Sequence, residues 1–141
     1  LNLYTKTLAN LDQAIRDTGV DPWVGCHISH NYHTGASLYF TFGCRKIEGK
    51  ELEQYLYIKK AAEDSFMQNG GTLSHHHAVG TEHLPWVEED ISPTGVKAIE
   101  GLKSGLDPKG VMNPGKIIPG PNPLQAWGLS DEVIKSFKQA D

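Results

Sequence analysis

Three adjacent histidines framed by glycines constrain this chain more than any other feature of its sequence. Residues 70–80 read Gly-Gly-Thr-Leu-Ser-His-His-His-Ala-Val-Gly. Ordinary core packing does not call for adjacent imidazoles, whereas glycine allows backbone conformations closed to other residues and leaves space for a ligand or a neighbouring chain. Imidazoles exchange protons near neutral pH. The segment therefore predicts a place where something approaches the backbone closely and where protons can be moved.

Apolar residues at helical spacing predict two amphipathic helices. The first covers residues 3–18 and ends at Gly19. The second covers residues 48–68 and ends at the Asn-Gly-Gly of residues 69–71. The side chains expected to form its buried stripe are Leu52, Leu56, Ile58, Ala62, Phe66 and Met67.

Two segments between these helices have the pattern of β-strands. They are residues 23–29 and 36–44, joined by a polar turn or bulge at residues 31–35. Alternation in the second segment places Leu38, Phe40 and Phe42 on one face and Tyr39 and Thr41 on the other. A helix-strand-strand-helix order without a dinucleotide-binding glycine motif favours an α+β fold, with an antiparallel sheet covered on one face by helices.

The rest of the chain is less regular. Residues 72–79 are predicted to form a strand, or a strand running into a loop, and an extended chain would place His75 and His77 on one side and His76 on the other. Ser92-Pro93 is a good helix start, and residues 107–110 would end that helix. A Pro-rich linker at residues 119–123 and a short helix at residues 130–137 complete the prediction.

Composition narrows the class of protein. A chain of 141 residues suffices for one compact domain, and its net charge of -4 without a basic stripe argues against nucleic acid as a partner. Cys26 and Cys44 lack zinc-site spacing, so we expect buried thiols in a reducing compartment. The chain has no initiator Met or leader sequence, and we interpret it as part of a longer protein.

Residues 20–118 resemble the C-terminal portion of FAD-linked oxidases of the vanillyl-alcohol oxidase type. The resemblance rests on the histidine segment, on the Tyr-x-x-Gly-Ala-x-x-Tyr-Phe run that starts at Tyr32, and on the Asn-Pro-Gly-Lys of residues 113–116. Within that family the sequence is most similar to the alkyldihydroxyacetonephosphate synthases. The resemblance implies that residues 1–118 form a ferredoxin-like cap domain, that an FAD-binding domain lies upstream, and that residues 119–141 form a linker and a short helix.

The resemblance also implies a reaction and its residues. The reaction exchanges the acyl group of acyl-dihydroxyacetone phosphate for a long-chain alcohol in ether-lipid synthesis, without net redox change. Tyr39 and the triplet His75, His76 and His77 match the family's catalytic residues, and Ser74 and Asn113 are the expected cofactor contacts. FAD would be held mainly by the upstream domain, and no metal is expected.

Further expectations concern partners and location. The resemblance implies a lipid phosphate substrate, contact with the protein's own FAD-binding domain, association of the full-length enzyme with a membrane surface, and a homodimer. The expected location is the cytoplasm, or the peroxisome in a eukaryote.

The residue types suit such a reaction. Removing a proton beside a ketone and expelling a carboxylate require a general acid and a general base, and phenol and imidazole can supply both. Protonated imidazoles also favour anions such as phosphate.

Several alternatives stay open. In the family's D-2-hydroxyacid dehydrogenases a Gly-Glu-His-Gly motif and an upstream histidine pair hold a metal, whereas here His76 takes the glutamate position and Tyr39 the upstream one. His27, His30 and His33 would still offer nitrogen ligands, although we interpret them first as turn or sheet residues. The enzyme could instead be an FAD-dependent oxidase of a hydroxy acid or alcohol. The chain could also be a non-catalytic ligand-binding or dimerisation module of ferredoxin-like form. The histidine triplet itself could be a solvent-facing turn or an artefact of tagging.

Overall fold

The computed structural model describes residues 1–138, so the last three residues of the predicted C-terminal segment lie outside the described residues. The chain divides into two compact units, residues 1–71 together with the segment from Leu129, and residues 72–128. The first unit contains α1 (Asn2–Asp17), β1 (Pro22–Tyr32), β2 (Gly35–Cys44), α2 (Glu51–Gln68) and α5 (Asp131–Lys138). The second contains a 3-10 turn (Leu84–Trp86), α3 (Val87–Leu106) and α4 (Pro123–Trp127). The predicted domain boundary at residue 118 stays a prediction.

The sheet of the first unit is an antiparallel hairpin. Pairing runs from Pro22 opposite Cys44 to Ser29 opposite Ser37, and the register shifts between Ser29 and Tyr32. His30 has a φ of 50° at this irregularity. The predicted strands and the turn or bulge between them are therefore confirmed.

Helices cover the apolar face of the hairpin and form the core with it. Side chains at helical spacing on α1 and α2 meet because each presents its apolar stripe to the other. The fully buried cluster is Leu11, Ala14, Ile15, Tyr57, Ile58, Ala62 and Phe137, and strand residues including Val24, Phe40 and Phe42 pack against it. This arrangement confirms the α+β class and the antiparallel sheet covered by helices.

The prediction for the buried stripe of α2 was wrong at its first position. Leu52 is 65% exposed, whereas Ile58 is 2% exposed. Leu52 lies in the first turn of α2, ahead of the first buried position, Gln54. Polar residues take core positions instead: Gln54 is 3% exposed, and Ser65 is buried where its hydroxyl bonds Thr7 Oγ1 at 3.0 Å.

Glycines end the helices of the first unit as expected. Gly70 follows α2 with a φ of 74°, and the Gly71 amide donates to Phe66 O at 2.8 Å. Such a left-handed residue closes the last turn of a helix, and only glycine adopts it without strain. Cys26 and Cys44 are free thiols that are partly buried, not fully buried as expected.

The second unit differs more from the predictions. Residues 72–79 form no strand and instead run as bends into the 3-10 turn. α3 begins at Val87, but Ser92 breaks it with φ 70° and ψ 159°, and Ser92 Oγ accepts the Gly95 amide at 3.3 Å. The predicted helix start at Ser92-Pro93 is thus a kink at which a second helical segment begins. Helix α4 was not predicted, and its Trp127 ring lies 5.3 Å from the buried Trp86 ring.

None of the helices in residues 1–138 is both long enough and apolar enough to cross a bilayer.

Candidate functional site

The histidine segment forms a turn closed by a serine. Ser74 Oγ donates to His77 O at 2.8 Å, and the His77 amide donates to Ser74 Oγ at 3.1 Å. A serine hydroxyl that bonds the backbone three residues later offers the chain an alternative to an extended strand. The two-sided arrangement expected for a strand is therefore wrong, and all three histidines are exposed on one turn.

Two imidazoles of this turn share a hydrogen bond. His75 Nδ1 lies 3.1 Å from His76 Nδ1, so one nitrogen carries a hydrogen and the other accepts it. The His76 and His77 ring centroids are 4.3 Å apart with their planes at 79°. If both rings were protonated, both Nδ1 atoms would carry a hydrogen, so the hydrogen bond would be lost and two positively charged rings would repel each other. The arrangement can therefore hold and pass a proton.

Tyr39 belongs to the first unit, on the sheet face away from the helices. It lies opposite His27 in the hairpin, and the two rings stack with centroids 4.9 Å apart and planes at 25°. Tyr39 is 39% exposed, as the strand alternation predicted. The pairing of His27 with Tyr39 was not predicted from the sequence, although a hairpin centred on position 33 pairs positions 27 and 39 by symmetry.

A tryptophan extends this face toward the other end of the hairpin. Trp23 is 61% exposed, and its ring lies over the backbone of two glycines. A Cβ at Gly25 would lie 3.6 Å from the ring, and one at Gly43 would lie 3.8 Å from it. Trp23 therefore packs against backbone while its other side faces solvent. The outer sheet face therefore carries the exposed rings of Trp23 and Tyr39.

A tight turn follows α3 and contains Asn113. Asp107 accepts the amides of Val111 at 3.0 Å and Met112 at 2.9 Å, and the Lys103 ammonium at 2.9 Å. These bonds, with that of Lys103 first, lower the pKa of Asp107 to about 2. Asn113 then adopts a φ of 44°. Asp107 thus has the turn role that its sequence context suggested.

The predicted site residues fall into separate groups. The structure brings His75, His76 and His77 together with Ser74 in one turn, and it pairs Tyr39 with His27. Ser74 uses its hydroxyl within the turn, and Asn113 lies in the turn after α3. The expectations that Tyr39 and the triplet act in one reaction, and that Ser74 and Asn113 contact the cofactor, stay predictions.

Comparison with known proteins places this arrangement in a family. Residues 4–117 match the family described as FAD linked oxidases, C-terminal domain. The chain is 39% identical over 109 residues to alkyldihydroxyacetonephosphate synthase of Trypanosoma brucei brucei, covering 77% of this chain and 18% of that protein. It is 41% identical over 104 residues to the synthase of Dictyostelium discoideum, covering 74% of this chain and 17% of that protein.

A bacterial relative is more distant. The uncharacterized FAD-linked oxidoreductase YgcU of Escherichia coli (strain K12) is 31% identical over 100 residues, covering 68% of this chain and 20% of that protein. The chain thus spans a fifth or less of the length of these three relatives. Because the family match covers most of the sequence, the conclusion does not depend on any one relative. The chain belongs to the FAD-linked oxidases, of which it represents the C-terminal domain.

Proposed function

We propose that this chain is the catalytic cap of an FAD-dependent enzyme that makes an ether lipid precursor, replacing the acyl group of acyl-dihydroxyacetone phosphate by a long-chain alcohol. The histidine turn carries the proposal. It presents three exposed imidazoles, two of which share a hydrogen bond, in a chain 39% and 41% identical to two alkyldihydroxyacetonephosphate synthases. The substrate class comes from those relatives' names.

The residues of this chain fit a flavin on two counts. The outer sheet face carries aromatic rings, with the Trp23 ring over glycine backbone and the Tyr39 ring stacked on His27. Planar rings favour offset stacking on such a surface. Exposed imidazoles on the histidine turn add donors and acceptors for ring nitrogens and oxygens. Bound FAD would supply an electron-accepting ring beside the substrate carbon.

The proposed work of the side chains is proton transfer. A base must take the proton from the carbon beside the ketone, and the acyl group must leave as a carboxylate. The incoming alcohol must lose its hydroxyl proton as the carbon–oxygen bond forms, and this proton leaves with the carboxylate. The carbon beside the ketone regains the proton that it lost, so the exchange involves no net oxidation. The hydrogen-bonded pair His75 and His76 can take one proton and give it back. The phenol of Tyr39 offers a second acid, and protonated imidazole favours the phosphate or the departing carboxylate.

The test uses the full-length polypeptide that carries this domain. We expect His76→Ala and Tyr39→Phe each to lower the rate of ether formation by about 100-fold or more, the loss typical of a removed acid–base group. His33→Ala is the matched control, because His33 is an exposed histidine in the hairpin turn. Its rate should stay at wild type. Near wild-type ether formation by both active-site variants, with normal circular dichroism, would refute the assignment.

An FAD-dependent oxidase or dehydrogenase of a hydroxy acid or alcohol is the second candidate. The similarity to an FAD-linked oxidoreductase of Escherichia coli (strain K12) favours it. The two candidates separate in one experiment on the full-length protein. Bleaching of the flavin absorbance by a hydroxy acid or alcohol, without ether product from acyl-dihydroxyacetone phosphate, would select the oxidase.

A further inference from the structure

Small residues surround Tyr39 on the outer sheet face, with one exception. Residues two apart on a strand share a face, and the residues opposite and diagonal to them on the paired strand lie next to them. The hairpin register gives Tyr39 these neighbours: Ser37 and Thr41 on β2, and Gly25, His27 and Ser29 on β1. All but His27 have a small side chain or none. His27 is therefore the adjacent hairpin residue that can cover the Tyr39 ring.

The His27 ring lies along one side of the phenol ring. The two centroids are 4.9 Å apart and the planes differ by 25°, which is a stacked pair. A strand allows two common rotamers about the Cα–Cβ bond, so the backbone alone does not decide where the Tyr39 ring points. Rotation about that bond would carry the phenol ring off the imidazole and lose the contact. The stack therefore favours the rotamer that the structure shows.

The same torsion sets the position of the Tyr39 hydroxyl. The oxygen lies at the far end of the ring, so a swing of the ring moves it further than the other ring atoms. A general acid must lie within hydrogen-bond reach of the group it serves, and a displacement of about 1 Å can reduce a rate by about 100-fold. A residue that selects the Tyr39 rotamer therefore controls how often the hydroxyl is in place to react.

We propose that His27 is a positioning residue for Tyr39, acting through the flat face of its ring and not by exchanging a proton. The inference rests on the proposed function, because it needs the Tyr39 hydroxyl to act in the reaction. It adds a second kind of histidine to the domain. The triplet at residues 75–77 would move protons, whereas His27 would hold the phenol. Imidazole suits the place, because His27 is exposed and this side chain has both a planar apolar face and polar atoms.

Kinetics of ether formation by the full-length polypeptide test this role. We expect His27→Ala to lower kcat by about 10-fold and to leave KM for the acyl substrate unchanged, because lost orientation affects the transition state more than binding. His27→Phe keeps a planar ring and should stay within about 3-fold of the wild-type kcat. His33→Ala, which alters an exposed histidine of the hairpin turn, should have no effect. A loss in His27→Phe as large as in His27→Ala would overturn the proposal, since the nitrogen atoms would then act themselves.

Combining two substitutions asks whether His27 acts through Tyr39. Residues that act as a unit have non-additive effects. Once Tyr39→Phe has removed the hydroxyl, His27→Ala should lower kcat by less than about 2-fold further. A further loss of about 10-fold in the double variant would show an independent role and overturn the proposal. A wild-type kcat in His27→Ala alone would overturn it as well.

Nuclear magnetic resonance of isotope-labelled tyrosine gives a readout that needs no turnover. The ring current of His27 should displace the Tyr39 ring resonances in the full-length wild-type protein, and His27→Ala should bring them closer to the values of unstructured peptide. His27→Phe should keep them displaced. Unchanged Tyr39 resonances in His27→Ala would overturn the positioning role while Tyr39→Phe still slows the reaction. A wild-type rate in Tyr39→Phe would instead refute the proposed function, and the positioning role with it.

Discussion

Gln54 joins three elements of the first unit through one buried amide. It is 3% exposed, and its Nε2 donates to Thr18 Oγ1 and to Arg45 O, both at 3.1 Å. Its Oε1 accepts the Ile47 amide at 3.1 Å. Thr18 follows α1, whereas Arg45 and Ile47 follow β2. The Gln54 side chain therefore connects the end of α1 and the end of β2 to helix α2. We predict that the position of the hairpin that carries Tyr39 depends on it.

The expected cost of Gln54→Leu follows from these bonds. The substitution preserves volume but removes three hydrogen bonds, worth about 1 kcal/mol each. The leucine gains about 1 kcal/mol of apolar burial, which leaves a net loss of about 2 kcal/mol in the free energy of unfolding. That is a substantial share of the ~5–15 kcal/mol that stabilises a typical domain.

Urea denaturation followed by circular dichroism measures this loss. Gln68→Leu is the control, because Gln68 is the last residue of α2 and is exposed. A surface change of this kind should alter the free energy of unfolding by less than about 0.5 kcal/mol. Equal stability of the two variants would refute the reasoning that the Gln54 amide joins the elements.

Three further predictions concern single groups. Burial and the hydrogen bond to Asp17 raise the pKa of Tyr57 from 10.0 to about 12. The free energy of unfolding should therefore fall as pH rises from about 10 through 12. Tyr57→Phe should remove that fall in thermal denaturation curves. The pKa of Asp107 is lowered from 3.8 to about 2, so the turn that Asp107 closes should be stable above pH 4 and open as pH falls toward 2. A titration midpoint near pH 3.8 in the chemical shifts of the Val111 and Met112 amides would contradict this. Ser74→Ala should speed exchange of the His77 amide by about 10-fold or more, because its acceptor at 3.1 Å is lost, and unchanged exchange would mean that Ser74 does not close the turn.

Features set by neighbouring residues were predictable from the sequence. The periodic spacing of apolar residues located α1 and α2, and the glycines after them marked their ends. Two alternating segments around a polar turn located the hairpin and placed Tyr39 on its outer face. The family followed from the glycine-framed histidines and the Tyr-x-x-Gly-Ala-x-x-Tyr-Phe run.

Predictions from local sequence patterns were wrong where the same residues can adopt two conformations or environments. The segment after Gly71 was predicted to be extended, but Ser74 can bond the backbone of His77 and closes a turn instead. Leu52 has the polarity of a core residue and occupies an exposed position, whereas polar Gln54 is buried. Apolar character is a preference, and the place of a residue in the packed structure decides whether that preference is met.

The sequence by itself determined α1, α2, the hairpin and the family, because each depends on residue types at short, regular spacing. Only the tertiary structure decided that Gln54 is a core residue, that the Tyr39 ring stacks on His27, and that a cleft lies between β2 and α2. The physical reason is that each feature requires groups separated in the chain to meet. The Tyr39 stack exists only when the two strands have paired, and the Gln54 bonds and the cleft exist only when α1, α2 and the hairpin have packed together.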